Sequence, residues 1–164
     1  MERIRRSRVG QRRRDVRYVC VDSGFLIGLY GDRDQYRPQA SSHFLKLFGS
    51  GNNCLLVPWP ILYETVSTRL AKSVPGMLRL EKDWKRLDRL NRLKMLPDEP
   101  YRNNVIQDCF EQHQRPLSAV DRVIRNILAD PRIQISAFVT FNPGDFFDVC
   151  KRFKRELVCA TTPV

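Results

Sequence analysis

The chain has 164 residues, with 29 Lys and Arg against 18 Asp and Glu, which gives a formal net charge of +11. This length fits one domain with a sizeable core, and the charge points to an anionic partner: nucleic acid, an anionic membrane or an acidic protein. No apolar run approaches the roughly 18 to 20 residues that span a bilayer. We therefore expect a cytoplasmic protein without a membrane partner.

Cysteine and histidine contribute little to the possible chemistry. The five cysteines form no C-x-x-C pair, and their odd number argues against a disulfide framework. We expect them to be reduced, small core residues. The two histidines, His43 and His113, are too few for a zinc centre, and a Ser-His-Asp triad is disfavoured as well. Any catalysis must depend on carboxylates.

The first residues form a strongly basic segment. Eight arginines lie within the first 17 residues, and Glu2 and Asp15 are the acids among them. The segment has neither the apolar run of a secretory signal nor the Ser-rich, amphipathic character of a transit peptide. We therefore expect a flexible basic arm over residues 1–16 and one folded domain over residues 17–164.

Apolar runs alternate with helical patterns along the domain. Apolar strands that lack polar alternation and are separated by helices are typical of an α/β fold with a mainly parallel sheet. One predicted helix ends near Lys72. Another carries an apolar stripe from Leu80 to Leu93, which we expect to face the core. The five predicted strands are Tyr18–Val21, Cys54–Val57, Lys94–Leu96, Ala137–Thr140 and Leu157–Ala160.

Carboxylates follow these strands or stand close to the start of a helix. Asp22 follows the first strand, Glu64 lies in the helix after the second, and Asp145 follows the fourth. Since active sites of such sheets lie beyond the carboxyl ends of the strands, we expect these acids to converge. Asp121 joins them if its helix starts at the same edge.

Each acid also has a simpler explanation. Asp22 can cap a helix, Asp121 fits a capping box with Ser118, Glu64 can favour the positive end of a helix dipole, and Asp145 can cap the last helix. The joint pattern favours a metal site, because Mg²⁺ and Mn²⁺ take oxygen ligands and acids without a cation repel one another. It indicates a metal-dependent nuclease.

Four segments carry a resemblance to a known family. They are V-D-S-G-F-L-I-G-L at 21–29, P-I-L-Y-E-T at 60–65, L-S-A-V-D-R-V-I at 117–124 and V-T-F-N-P-G-D-F at 139–146. The set resembles the PIN domains and, among them, the VapC-type ribonuclease toxins. The resemblance implies a PIN-like three-layer α/β/α sandwich with about five strands, and Mg²⁺- or Mn²⁺-dependent cleavage of RNA.

The resemblance carries the first three family acids over to Asp22, Glu64 and Asp121. At the fourth position many members have an acid where this chain has Asn142, whereas others use the later acid, which corresponds to Asp145. We predict Asp145 as the fourth catalytic and metal-binding residue, and the choice between it and Asn142 stays open. The supporting residues are Ser23, Thr140 and Asn142.

The resulting hypothesis is an endoribonuclease, the toxin of a type II toxin-antitoxin pair. Its expected partners are RNA, an acidic or amphipathic antitoxin and a second copy of the chain. Two alternatives remain: a housekeeping RNA-processing or structure-specific nuclease, and a catalytically weak PIN-like RNA-binding protein. The basic residues predicted to contact RNA are Arg12, Arg13, Arg14, Arg86 and Arg89.

Overall fold

The computed structural model describes residues 16–111 and 116–161, and five parallel strands form its centre. In chain order they are β1 Tyr18–Val21, β2 Cys54–Pro58, β3 Leu93–Leu96, β4 Ala137–Thr140 and β5 Glu156–Cys159. Their order across the sheet is β3-β2-β1-β4-β5, and every neighbouring pair is parallel. All five predicted strands are confirmed, with shifts of one residue at some ends.

Seven α-helices surround the sheet. They are α1 Ser23–Tyr30, α2 Arg37–Phe44, α3 Trp59–Val66, α4 Val74–Arg89, α5 Arg102–Phe110, α6 Ala119–Ala129 and α7 Phe147–Arg152. The chain moves from β1 through β2 to β3 in one direction and then returns past β1 to β4 and β5. Because such crossovers are right-handed, α1 to α4 cover one face and α5 to α7 the other. The three-layer α/β/α prediction is confirmed.

The three inner strands explain the apolar pattern of the sequence. β1, β2 and β4 are covered on both faces, so nearly all of their residues are buried. Val19 pairs with Leu55 of β2 and with Ala137 of β4. The edge strands β3 and β5 are only half-buried. A strand in the middle of a parallel sheet therefore has no polar face, as its sequence predicts.

Several helix ends differ from the predictions. The stripe predicted from Leu80 to Leu93 is correct for Leu80 and Leu87, which are buried. Beyond them the helix is wrong: α4 ends at Arg89, and Leu90 is 55% exposed. Leu93 packs against the core as expected, but as the first residue of β3. The helix predicted to continue to Lys72 ends at Val66, and a separate 3-10 helix follows at Arg69–Lys72.

The remaining elements agree with the expectations in part. Cys20, Cys54 and Cys150 are buried, whereas the other two cysteines are half-buried. The helix predicted from Asp145 to Arg155 is a 3-10 helix, Pro143–Asp145, followed by the shorter α7. No helix in the described part of the chain is long and apolar enough to cross a membrane. Residues 1–15 of the predicted basic arm lie outside the described residues.

Candidate functional site

The predicted acids lie where the strand order reverses. The chain leaves β1 toward β2 on one side, and β4 lies on the other side of β1. In open parallel sheets such a switch point opens a crevice beyond the carboxyl ends of the strands. Asp22 is the first residue after β1, and its backbone N–H donates to the carbonyl of Val139 on β4 at 2.9 Å. The fold therefore places Asp22 in this crevice.

The Asp22 carboxylate is held by two neighbours. Its Oδ1 accepts from the backbone N–H of Ser23 at 2.7 Å, so that Asp22 caps α1. Its Oδ2 accepts from the Oγ1 hydroxyl of the buried Thr140 at 2.8 Å. One carboxylate oxygen is thus bound by the helix and the other by the neighbouring strand, which fixes the orientation of the group.

Glu64 and Asp121 lie close enough to Asp22 for their charges to change its pKa. Burial raises the pKa of Asp22, the hydrogen bonds from Thr140 and Ser23 lower it, and the charges of Asp121 and Glu64 raise it further. The net change is an increase. The structure therefore brings together three acids that are far apart in the sequence, and the charges of Glu64 and Asp121 disfavour the ionised form of Asp22.

Asp121 takes part in a capping box at the start of α6. The Ser118 hydroxyl accepts from the Asp121 backbone N–H at 3.0 Å and donates to Asp121 Oδ2 at 2.7 Å. The same Oδ2 accepts from the Ser118 backbone N–H at 3.2 Å. These bonds use Oδ2 alone, so capping and a role of Oδ1 in the crevice are compatible.

Glu64 is not explained by helix capping. It is the sixth residue of α3, in the second turn, so the prediction that it favours the helix dipole from the first turn is wrong. Its neighbour Thr65 is buried, and the Thr65 hydroxyl donates to the carbonyl of Ile61 at 2.7 Å. Thr65 thus fixes the inner side of α3, which leaves Glu64 on the exposed side.

Asp145 is bound differently from the other three acids. It lies in the 3-10 helix after β4, where the Asn142 side-chain amide donates to its Oδ2. The backbone N–H of Asn142 donates in turn to Thr140 Oγ1 at 2.9 Å. Thr140 therefore links Asp22 to the Asn142–Asp145 pair. The suggestion that Asp145 caps the last helix is wrong, because Phe146 occupies the N-cap position of α7.

The link between Asn142 and Asp145 leads to a test of the fourth acid. If Asp145 serves as a metal ligand and Asn142 only orients it, Asp145→Ala should lower the cleavage rate more than Asn142→Ala. We expect the Asn142→Ala loss to be about 10- to 100-fold, the usual cost of removing a group that orients a ligand. Single-turnover rates of both variants make the comparison. A larger loss for Asn142→Ala would assign the role to the Asn142 carbonyl oxygen.

The donor set fits a hard divalent cation. Among residues 16–111 and 116–161, no three His, Cys, Asp or Glu side chains lie close enough together to ligate one ion jointly. Mg²⁺ does not need such a set, because it usually binds through one or two carboxylates together with waters and substrate phosphate. The acids Asp22, Glu64 and Asp121 offer only oxygen atoms, and a cation would offset the repulsion that raises the pKa of Asp22.

The structure does not bring the predicted basic residues of α4 to the acids. Arg86 and Arg89 lie near the C-terminal end of α4, toward the amino ends of the strands. Arg86 donates to the carbonyl of Phe48 at 3.2 Å, and Arg89 donates to the carbonyl of Lys85 at 3.1 Å. RNA contact by Arg86 and Arg89 stays a prediction. Arg12, Arg13 and Arg14 lie outside the described residues.

Sequence reasoning missed an ion pair at the same edge of the sheet. Asp98 follows β3, is buried, and accepts two hydrogen bonds from Arg102 at 2.8 and 3.0 Å. The hydrogen bonds from Arg102 hold the pKa of Asp98 below its usual value. An acid directly after the predicted strand Lys94–Leu96 and Pro97, with an arginine four residues later, was the available signal.

Comparison with known proteins gives structural neighbours only. The sequence has no significant match among protein-family models or curated proteins. Its fold is similar to that of VapC20 from Mycobacterium tuberculosis, a toxin that cleaves the sarcin-ricin loop, with a TM-score of 0.53 and 14% identity over 73% of this chain and 86% of that one. It is also similar to VapBC2 from Rickettsia felis, solved with a DNA fragment of its promoter, with a TM-score of 0.50 and 13% identity over 85% of this chain and 96% of that one. The PIN-like fold is thereby confirmed.

Proposed function

We propose that this chain is a Mg²⁺- or Mn²⁺-dependent endoribonuclease, the toxin of a type II toxin-antitoxin pair. The observation that carries the proposal is the position of Asp22 at the switch point, with Glu64 and Asp121 close enough to raise its pKa. A fixed group of acids in a chain with a net charge of +11 is best explained by a cation that binds between the acids and a phosphate.

Each residue of the crevice then has a role. Of Asp22, Glu64, Asp121 and Asp145, one or two would bind the ion directly, and the others would act through its bound waters. When bound, it would neutralise charge on the phosphate and make water a better nucleophile. Thr140 orients Asp22 from β4 through its 2.8 Å hydrogen bond, and Ser23 orients it from α1.

The structural neighbours favour an RNA substrate and a cytoplasmic toxin. VapC20 is a toxin that cleaves the sarcin-ricin loop, which is RNA, and it has the same fold. The order of the acids along the chain agrees with the resemblance of the sequence to VapC toxins. RNA binding and the formation of a homodimer are part of the proposal.

A basic cleft supports an acidic antitoxin as the partner. A cleft of about 550 Å³ lies between α1, α2 and α4, and Leu45 in its lining is 71% exposed. Basic groups with an exposed apolar side chain suit an acidic, amphipathic segment of a partner protein. A monomeric, harmless chain without a co-encoded acidic partner would favour the housekeeping nuclease instead. The four basic residues of the cleft are Arg37, Arg79, Lys82 and Arg86.

Thermal unfolding with and without metal tests the proposed ion site. A ligand present at 100 times its Kd stabilises the folded state by about 2.7 kcal/mol, which corresponds to a rise in Tm of roughly 5 to 10 °C for a chain of this size. We expect Mn²⁺ to raise the Tm by about this amount and EDTA to reverse the rise. Calorimetry or dye-based melting would measure it.

Two variants show whether the ion binds at the proposed place. Asp22→Asn should remove most of the increase in Tm, because it replaces the best-fixed carboxylate by a neutral amide. Asp88→Asn removes an exposed acid of α4 and should leave the increase intact. Equal Mn²⁺ responses of the two variants would contradict the assignment of the ion to this crevice.

A further inference from the structure

Two exposed aromatic side chains stand beside the acids. Trp59 and Tyr63 lie one turn apart on α3, and their ring centroids are 5.6 Å apart with the planes tilted by 31°. Trp59 is 39% exposed and Tyr63 is 59% exposed. Large aromatic rings in contact with each other and with solvent offer flat apolar surface that core packing does not use.

These rings lie at the same edge of the sheet as Asp22. Trp59 directly follows Pro58, the last residue of β2, and β2 is the neighbour of β1. Tyr63 immediately precedes the proposed ligand Glu64 on α3. Neighbouring strands lie about 4.8 Å apart, and β2 lies between β1 and β3. The ends of β1 and β3 are therefore about 10 Å apart. A strand of nucleic acid bound at the acids can therefore reach the rings.

The two rings line a small cleft together with a fixed arginine. The cleft holds about 160 Å³, and Arg102 contributes to its lining. Asp98 binds this guanidinium through two hydrogen bonds, so its plane is held in place. The Arg102 charge is also close enough to Tyr63 for the two groups to interact. Aromatic rings and guanidinium planes are the groups on which unpaired bases stack.

We propose that Trp59, Tyr63 and Arg102 form a subsite for one unpaired nucleobase of the RNA substrate. The inference rests on the proposed ribonuclease function and adds a selection for unpaired RNA. Asp98 and Glu99 also line the cleft and repel phosphate, so the cleft suits the uncharged base of a nucleotide rather than its phosphate. A base within a duplex has both faces stacked on its neighbours and cannot enter the cleft.

Binding of short RNA oligomers tests this subsite without cleavage. In the Asp22→Asn background, with EDTA, Tyr63→Ala and Trp59→Ala should each weaken the binding of an oligoadenylate by roughly 5- to 150-fold, the range found when a stacking ring is removed. Tyr63→Phe keeps the ring and should bind like the background protein. Phe147→Ala is the matched control, since Phe147 is 58% exposed but lies on α7, beside the opposite edge of the sheet.

Two further readouts separate stacking from charge. The affinity for an oligomer of abasic nucleotides should be the same with and without the Tyr63 ring. Because stacking releases no counterions, Tyr63→Ala should leave the slope of log K against log salt unchanged. Quenching of tryptophan fluorescence by the oligoadenylate should be lost in Trp59→Phe, although Trp84 remains.

Distinct outcomes would overturn the subsite or the function. Unchanged oligoadenylate affinity in both alanine variants overturns the subsite, even if the unchanged chain cleaves RNA. A wild-type dimer that Tyr63→Ala converts to a monomer in sedimentation would assign the rings to an interface between copies of the chain and also overturn the subsite. If the predicted losses occur but the unchanged chain cleaves no RNA with Mn²⁺, the subsite stands and the proposed catalytic function fails.

Discussion

The Asp22→Asn variant should cleave RNA at least about a hundredfold more slowly than the unchanged chain in Mg²⁺ or Mn²⁺. A bound metal contributes several kcal/mol to stabilising charge in the transition state, and each 1.36 kcal/mol corresponds to a factor of ten in rate. Asparagine retains the size of Asp22: its single oxygen can accept from the Ser23 backbone N–H, and its amide can donate to the Thr140 hydroxyl in place of the present bond. The loss would therefore report the missing charge rather than a rearranged crevice.

Single-turnover cleavage of a labelled RNA measures this effect. Asp121→Asn should show a comparable loss, and EDTA should stop the unchanged chain. Asp88→Asn, which removes an exposed acid of α4 outside the crevice, should cleave at the normal rate. Because burial and neighbouring charges raise the pKa of Asp22, the amide should not destabilise the metal-free fold. Undiminished cleavage by both Asp22→Asn and Asp121→Asn would contradict the assignment of these acids to catalysis.

The sheet could be predicted because its signal is local. A strand such as β1 is buried on both faces, so that it is a short apolar run with a polar group directly after it. Parallel topology then places the residues that follow β1 and β4 at one edge. This is sufficient to place Asp22 and Thr140 at the same edge, but their being side by side depends on β1 and β4 being neighbours, which only the structure shows.

The helices were harder to predict because their ends depend on tertiary contacts. The spacing of apolar residues alone predicts that α4 continues through Leu90 to Leu93. The helix must end earlier, however, because the chain then enters β3. Asn91 makes this turn with a φ of 52°, a left-handed conformation that Asn tolerates. Periodicity does not record this turn, and the position of Glu64 in the second turn of α3 was missed for a similar reason.

The side-chain contacts of the candidate site could be predicted least. The sequence allowed Asn142 and Asp145 as alternatives, whereas the structure joins them by a hydrogen bond. It also did not single out Asp98, although Arg102, its partner, is only four residues later. Contacts of this kind depend on the path of the backbone between elements, which composition and spacing do not determine.

Removal of the basic arm should have the largest effect on RNA affinity. Of the eight arginines within the first 17 residues, Arg17 forms an ion pair with Glu156, and the other seven lie in residues 1–16. Binding to single-stranded RNA weakens with salt at a logarithmic slope of about −0.7 per phosphate contact. If about four arginines engage, deletion of residues 1–16 should flatten the slope by about 3 units.

Graded variants would connect the slope to particular arginines. Replacing Arg12, Arg13 and Arg14 by glutamine should flatten the slope by about 2 units, and the loss of affinity should be the same for all RNA sequences. Lys46→Gln removes an exposed charge that is not among the predicted RNA contacts and is the matched single-charge control. Cleavage at saturating RNA should persist, since Asp22 and its neighbours remain. An unchanged slope after the deletion would contradict RNA contact by the arm and leave it with another role, such as binding an acidic partner, because only phosphate contacts release the counterions that the slope measures.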